Sequence, residues 1–428
     1  ADTRAVPPRL AELRRTLPAV AVECGPLREE AFRGVDLVAI SPGLPLSEPL
    51  VRRAAGAGIP VVGDIELFAQ AVSGRTARMV AVTGTNGKST VTALAGAMAR
   101  AAGADCEVAG NIGPPALEAL MRREDAGRPA EAWVLELSSF QLETTRSLAA
   151  DAATVLNVTE DHLDRYSGIE DYARAKARIF SGEGVQVLNR DDRRSLSMAL
   201  PGRKSITFGL EAAGRTQDWG VVAREREPWL AQGENAILPA RELRLAGRHN
   251  VANALAALAL CGALRLPLPP QVAALRAFKG LPHRVEPVGE AGGVSWFDDS
   301  KGTNVGSTVA ALAGLAREGS KVVLIAGGEG KGQDFSPLKD ALARSARALV
   351  LIGRDAPLIE AAVAGAGIPV RRASSMEEAV FLAAQAARPG DAVLLSPACA
   401  SFDMFRDYRH RGDVFRAAVE KVTDAASH

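Results

Sequence analysis

Short runs of β-branched residues alternate with alanine- and leucine-rich helical stretches along almost the whole chain, and this alternation restricts the fold to the α/β class. The runs at 36–41, 79–83, 132–137 and 154–158 are apolar on both faces, as buried parallel strands are. A length of 428 residues sets an expectation of two or three domains. Three blocks emerge. Residues 1–73 hold βα units. Residues 74–281 begin with a strand that feeds a glycine-containing turn, and within them 203–246 is more broken and reads as a short antiparallel sheet. Residues 282–428 read as strands 294–298, 321–326, 348–352, 369–372 and 391–396, with helices 305–317, 336–346, 356–366 and 376–387 and a final helix. That regularity predicts a small doubly wound sheet. The linkers near Gly74 and at Gly280-Leu281-Pro282 are short, so closure of the blocks over a shared cleft is expected.

Composition excludes several function classes. A net charge of +1 gives no bulk field for nucleic acid or an anionic membrane, and an aromatic content of 4% argues against base-stacking surfaces. Cys24, Cys106, Cys261 and Cys399 are scattered without a CxxC pair, which excludes a cysteine zinc site and fits a reducing, cytoplasmic setting. The most apolar helical stretch, 251–264, is too short to span a bilayer. The chain opens on Ala1-Asp2-Thr3-Arg4 with neither Met nor a signal peptide, close to the end of a strand, and an N-terminal piece is expected to precede it. Among 51 basic residues only nine are lysine, so each lysine asks for a reason, and Lys88, Lys176, Lys301 and Lys331 all fall inside motifs.

The first motif is VAVTGTNGKST, 80–90. A strand enters a turn in which Gly84 and Gly87 let backbone N–H groups close on phosphate oxygens, and a helix starts near Lys88. Lys88 suits the β and γ phosphates, and the Ser89 hydroxyl suits Mg²⁺. Val82 stands where the strict phosphate-loop pattern has its first glycine. In VLELSSFQL, 134–142, Glu136 ends an apolar strand, where a carboxylate either holds Mg²⁺ or caps a helix. In NVTEDHLDRY, 157–166, His162 stands among Glu160, Asp161 and Asp164, as a metal ligand or a hydrogen-bonded structural histidine. Lys176, taken alone, reads as a solvated helix lysine.

In GRHNVANALAAL, 247–258, Asn250 and Asn253 share one face of an apolar helix, suited to an adenine edge or to simple capping. Arg284 in GLPHR and Asp298, Asp299 and Lys301 in WFDDSKGTN follow a linker and a strand. The two cations suit a γ-phosphate or a transferring phosphoryl group. Lys331 in GGEGKGQDF and Ser401 in LLSPACASFDMF follow apolar strands on the same crevice edge and suit two carboxylates of one ligand.

Taken in this order, GTNGKST, NVTEDHLDRY, GRHN, LPHRVE, DDSKGTN and LSPACASFDMF with Arg411-Gly412 resemble the Mur ligase family of peptidoglycan synthesis over essentially the whole chain. The resemblance implies a three-domain α/β fold, with a central P-loop ATPase-like parallel sheet flanked by Rossmann-like N- and C-terminal domains. It implies a monomeric, cytoplasmic enzyme of cell-wall biogenesis, and hence of cell shape and division. That enzyme adds D-glutamate to UDP-N-acetylmuramoyl-L-alanine through an acyl phosphate, using ATP and Mg²⁺ (two ions). By resemblance, Gly84, Thr85, Asn86, Gly87, Lys88, Ser89, Thr90, Asn250, Asn253, Arg284, Asp299 and Lys301 serve ATP. Ser89, Glu136, His162 and Lys176 serve the metal, with Lys176 carbamylated. Lys88, Lys176, His162 and Arg284 are the expected catalytic groups. Asp2, Thr3, Arg4, Ser41, Gly43, Asn111 and Ser138 would contact the UDP-substrate, and Thr303, Lys331, Ser401, Phe402 and Tyr408 the D-glutamate. The family's opening glycine-rich loop has no counterpart here, and Gly302 replaces an expected alanine. A sister ligase, a folylpolyglutamate-synthase-like enzyme and a non-catalytic nucleotide-binding regulator are the rival readings. Asp2-Thr3-Arg4 and SFDMF weigh against the first two. The third leaves Glu136, His162 and Lys176 without a reason.

Overall fold

The computed structural model describes residues 1–245, 247–316 and 319–426. The last residue of the expected helix 305–317, residue 246 of the broken segment and the final two residues of the chain lie outside them.

Three sheets follow one another along the chain. The first pairs β1 (Val38–Ala39) with β2 (Val61–Val62) in parallel, and an isolated bridge joins Asp2 to Cys24. The second has nine strands: β3 (Arg78–Thr83), β4 (Cys106–Gly110), β5 (Ala132–Glu136), β6 (Ala152–Val155), β7 (Val185–Asn189), β8 (Ser205–Phe208), β9 (Trp219–Arg224), β10 (Glu227–Gln232) and β11 (Asn235–Pro239). Their order is β11-β10-β9-β8-β7-β6-β3-β5-β4. The chain winds from β3 to one edge through β4 and β5, then crosses back to β6 on the other side of β3. The strand order therefore reverses at β3, and a crevice opens beyond the C-terminal ends of β3, β5 and β6.

Side chains alternate along β3 as a pleated strand requires. Val80 and Val82 face helices Lys88–Ala101, Arg248–Ala263 and Leu268–Ala277, whereas Met79 and Ala81 face helices Asp64–Val72, Ala116–Asp125 and Ile169–Ala177. Both faces are covered, which is why the strand is an unbroken apolar run. Helix Arg248–Ala263 is apolar nearly all round because it lies inside this layer, with Ala254 through Cys261 all buried. The short antiparallel sheet expected within 203–246 is present, joined to the central sheet. β9, β10 and β11 form an antiparallel meander, and β8 pairs in parallel with β7 and carries the meander as an extension of the central sheet.

The third sheet comprises β12 (Glu286–Ala291), β13 (Val294–Asp298), β14 (Val322–Gly327), β15 (Ala346–Ile352), β16 (Val370–Arg372) and β17 (Ala392–Leu395), in the order β12-β13-β17-β14-β15-β16. Val322 and Leu324 pack on the side of helices Val305–Leu315 and Pro337–Ser345. Val323 and Ile325 pack on that of Met376–Ala386 and Tyr408–Ala426, so the sheet is doubly wound as its alternation predicts. β12 was not expected. It pairs antiparallel with β13 across Gly292-Gly293, both with φ > 0, and this two-glycine hairpin turn is the sequence signal that marks it.

Candidate active site

The loop after β3 turns on two glycines into the start of helix Lys88–Ala101. Gly84 has φ +152°, and a Cβ there would meet the Leu156 Cβ at 2.9 Å, so only glycine fits. Gly87 caps helix Lys88–Ala101 at φ +85°, and its missing Cβ leaves room for Asn253 Oδ1. The segment after β6 braces the loop. Asn86 N donates to Asn157 Oδ1 (2.8 Å), Asn157 Nδ2 donates to the Asn86 carbonyl (3.0 Å), and Thr159 N donates to Thr85 Oγ1 (3.1 Å). Lys88 Nζ folds back to donate to the carbonyls of Gly84 (2.9 Å) and Thr85 (2.7 Å). Burial holds its pKa below the ordinary lysine value, with Glu136 and Asp161 acting the other way.

Glu136 ends β5 almost fully buried. Its Oε1 accepts from Asn111 Nδ2 (2.7 Å), while its Oε2 is buried with no hydrogen-bond partner. An orphaned carboxylate oxygen beside a phosphate loop and the Ser89 hydroxyl fits the hard oxygen donors that Mg²⁺ takes. His162 sits at φ +56° in NVTEDHLDRY, its ring edge-on to Phe140 with centroids 4.7 Å apart. Burial lowers its pKa against the pull of Asp161, leaving an imidazole able to act as a ligand or accept a proton.

Lys176 departs from the solvated helix lysine expected of it when taken alone. It is 1% exposed, donates to the Gly84 carbonyl (2.9 Å) and lies over the Tyr172 ring (4.3 Å). Burial, then Lys88, bring its pKa well below the ordinary lysine value. The helical period does carry a signal for this: Ile169, Tyr172, Ala173 and Lys176 stand at i, i+3, i+4 and i+7, so the lysine shares the face that packs into the apolar layer.

The C-terminal block brings two cations across. Arg284 Nη2 donates to Ser89 Oγ (2.8 Å), and Lys301 Nζ lies 3.3 Å from the same oxygen. Arg284 is held between two left-handed residues, His283 (φ 60°) and the β-branched Val285 (φ 48°), a backbone strain retained beside the site. His283 Nδ1 binds Asp298 Oδ2 at 2.6 Å, and His283 N donates to Glu286 Oε2 at 3.0 Å. Asp299 is buried, accepts from Ser396 Oγ (2.7 Å), and is pushed up to about 7, chiefly by burial. Between the blocks lies a cavity of about 160 Å³ with Asn250 and Asn253 on one wall and Arg284, Asp299 and Lys301 on the other. Asn253 Nδ2 donates to Asn250 Oδ1 (3.1 Å), which fixes the two amides relative to each other.

The remaining expected residues divide. Lys331, at φ 51°, reaches Asp161 Oδ1 at 3.5 Å. The loop that carries it is bridged at Glu329 to Ala400, next to buried Ser401. Thr303 lies between Lys301 and Asn304. Tyr408 lies under Lys301, 5.1 Å from its Nζ, whereas Phe402 is 71% exposed. Ser138 caps the short helix Ser139–Glu143 with Gln141. Ser41 and Gly43 flank Pro42, whose carbonyl accepts from Arg165 Nη1 (2.8 Å), so that turn touches the segment bearing His162. Asp2 binds Arg4 (2.7 Å), and no hydrogen bond joins either to the Ser41–Gly43 turn among the described residues. Reading the sequence missed Asn157 and Asn189, which line the cavity with His249, and Asn304, which joins it to Asp161. Asn157 and Asn304 lie inside quoted motifs, but an asparagine's partners are set by folding and not by spacing.

Three family models match in order: "Mur ligase MurD-like, N-terminal domain" over residues 1–63, "Mur ligase middle domain" over 82–261 and "Mur ligase, glutamate ligase domain" over 283–399. The UDP-N-acetylmuramoylalanine–D-glutamate ligase of Nitrosospira multiformis is 58% identical over 99% of this chain and 90% of its own length. That of Nitrosomonas europaea is 54% identical over the same shares. Among solved structures, a pseudomurein peptide ligase type C from Methanothermus fervidus aligns with TM-score 0.65 at 16% identity, covering 98% of this chain and 93% of that one. A UDP-N-acetylmuramate–alanine ligase from Thermotoga maritima aligns with TM-score 0.61 at 19% identity, covering 99% and 93%. At those identities the two structures speak to the fold alone.

Proposed function

This chain belongs to the Mur ligase family, and we propose that it joins D-glutamate to UDP-N-acetylmuramoyl-L-alanine with ATP, through an acyl phosphate, in peptidoglycan precursor synthesis. One geometric observation carries the ligase reading. Arg284 and Lys301, from one domain, converge on Ser89 in the phosphate loop of another, beside the orphaned oxygen of Glu136. That arrangement suits charge developing on a transferred phosphoryl group and not mere nucleotide storage.

In this reading the backbone of 84–90 cradles the ATP phosphates and the Asn250–Asn253 wall takes adenine. The substrate carboxylate attacks the γ-phosphorus, the bond to the β-phosphate oxygen breaks, and ADP leaves. Lys88, Arg284 and Lys301 offset the charge on the transferring group. Ser89, Glu136 and His162 would hold Mg²⁺, which when bound neutralises phosphate oxygens; two ions are proposed. The neutral amine of D-glutamate, its carboxylates held by Lys331 and Ser401, then forms the new C–N bond. The amine proton passes to His162 or to a water beside it, and phosphate departs as the acyl C–O bond breaks. Thr303, Phe402 and Tyr408 complete the amino-acid side. Asp2, Thr3, Arg4, Ser41, Gly43, Asn111 and Ser138 would serve the UDP-substrate. The chain is proposed to act as a cytoplasmic monomer; no helix among the described residues is long and apolar enough to cross a membrane.

Lys176 is proposed to be carbamylated. Reaction with CO₂ needs a neutral amine, and burial, then Lys88, lower the Lys176 pKa in the direction that favours that form. Lys176→Ala should abolish phosphate release, and added short carboxylates should restore part of it. An equal loss with no rescue would reject the carbamate. The whole reading is tested by phosphate release with UDP-N-acetylmuramoyl-L-alanine and a panel of amino acids. Release that is independent of D-glutamate would overturn it.

A further inference from the structure

Asn304 is 4% exposed and uses every hydrogen-bonding position of its amide. Its Oδ1 accepts from Ser307 N (2.9 Å) and from Asn86 Nδ2 (3.3 Å). Its Nδ2 donates to Asn86 Oδ1 (3.0 Å) and to Asp161 Oδ2 (3.3 Å). Capping helix Val305–Leu315 requires only the first of these four bonds. The other three leave the C-terminal domain. Asn86 belongs to the phosphate loop, fixed there by Asn157, and Asp161 belongs to the acidic segment after β6. The first turn of the helix lies directly on that loop, since a Cβ on Gly306 would stand 3.4 Å from both Asn86 Nδ2 and Thr159 Oγ1. The other oxygen of Asp161 faces Lys331. Thr303 precedes Asn304, and Val305 N donates to Gln333 Oε1 (2.9 Å) in the loop that carries Lys331.

We propose that Asn304 is the closure latch of the molecule, a positioning residue that engages Asn86 and Asp161 when the C-terminal domain seats on the phosphate loop and thereby sets Thr303 and Lys331 in place. An amide suits this role because Asn86 and Asp161 together present two acceptors and one donor. A carboxylate at 304 would oppose Asp161 and Asn86 Oδ1 with like partial charges. The consequence for D-glutamate rests on the ligase reading, whereas the latch itself does not.

Asn304→Asp and Asn304→Ser separate the two duties of the residue, because both side chains still cap a helix, while ionised Asp has no donor and Ser has a single O–H on a shorter side chain and cannot supply both bonds to Asn86 and Asp161. Small-angle X-ray scattering of the full chain with a non-hydrolysable ATP analogue should show the wild type more compact than either variant, with the analogue bound about as tightly by all three. The KM for D-glutamate should rise about tenfold or more in both variants, with a smaller change in kcat and an unaltered melting temperature. Variants that compact as the wild type does overturn the latch. So does a loss of activity that tracks a lowered melting temperature with KM unchanged, which is the mark of a cap alone. If the wild type shows no D-glutamate-dependent release, the ligase reading fails and the scattering comparison still decides the latch.

Discussion

Glu136 is a buried carboxylate with only one of its two oxygens satisfied. One carboxylate oxygen is bound by Asn111 and the other is buried bare. Burying a charge without a full set of partners opposes folding. Glu136→Gln keeps an acceptor for Asn111 and removes the charge, so the melting temperature should stay level or rise. Phosphate release should fall about 100-fold or more, the scale of losing one electrostatic contact to the reacting group. A fall in both would make Glu136 structural. Lys301 offers a pH test. Burial first, then Arg284, bring it down to about 8. A lysine with a lowered pKa carries its charge below that value and loses it above. The kcat/KM for ATP, which reports the free enzyme, should therefore decline as pH rises through about 8. Lys301→Arg cannot deprotonate in this range and should flatten that limb. A limb that persists in the variant belongs to another group.

Elements meet function at helix ends and strand tips. Gly87 is required by a left-handed backbone and by Asn253 Oδ1, which would lie 2.5 Å from an added Cβ. Gly87→Ala should cost about 1 kcal/mol or more of stability in urea denaturation and raise the KM for ATP, because relief of the clash moves either the loop or the cavity wall. No change in either would mean that the loop relaxes freely. Helix Tyr408–Ala426 is pinned at its start by Arg411, fully buried, which donates to Ser300 Oγ (3.0 Å) and to the carbonyls of Ser300 (2.8 Å) and Cys399 (3.1 Å). It ties the strand tips carrying Lys301 and Ser401 to one another. Arg411-Gly412 was visible as a motif, but nothing in a sequence shows that this arginine points inward.

At the scale of the whole molecule, the site exists only where domains meet, since Ser89 takes Arg284 and Lys301 from beyond the Gly280-Leu281-Pro282 linker. Arg284→Ala should lower kcat about 100- to 1,000-fold with the melting temperature unchanged, because the bond it makes spans a cleft and not a core. A stability loss of the same rank would assign Arg284 to packing. The α/β alternation, the doubly wound C-terminal sheet and the phosphate loop were legible because they follow from local periodicity and from glycine where φ must be positive. β12 and the continuity of β9–β11 with the central sheet were not, since strand partnership is a nonlocal choice. Which residue types stand at the strand tips is written in the chain, and so, through the resemblance, is the family. Folding settles which carbonyl Lys176 meets, that Glu136 keeps a bare oxygen and that Asn304 reaches across to Asn86, because partnership depends on which distant segments come together.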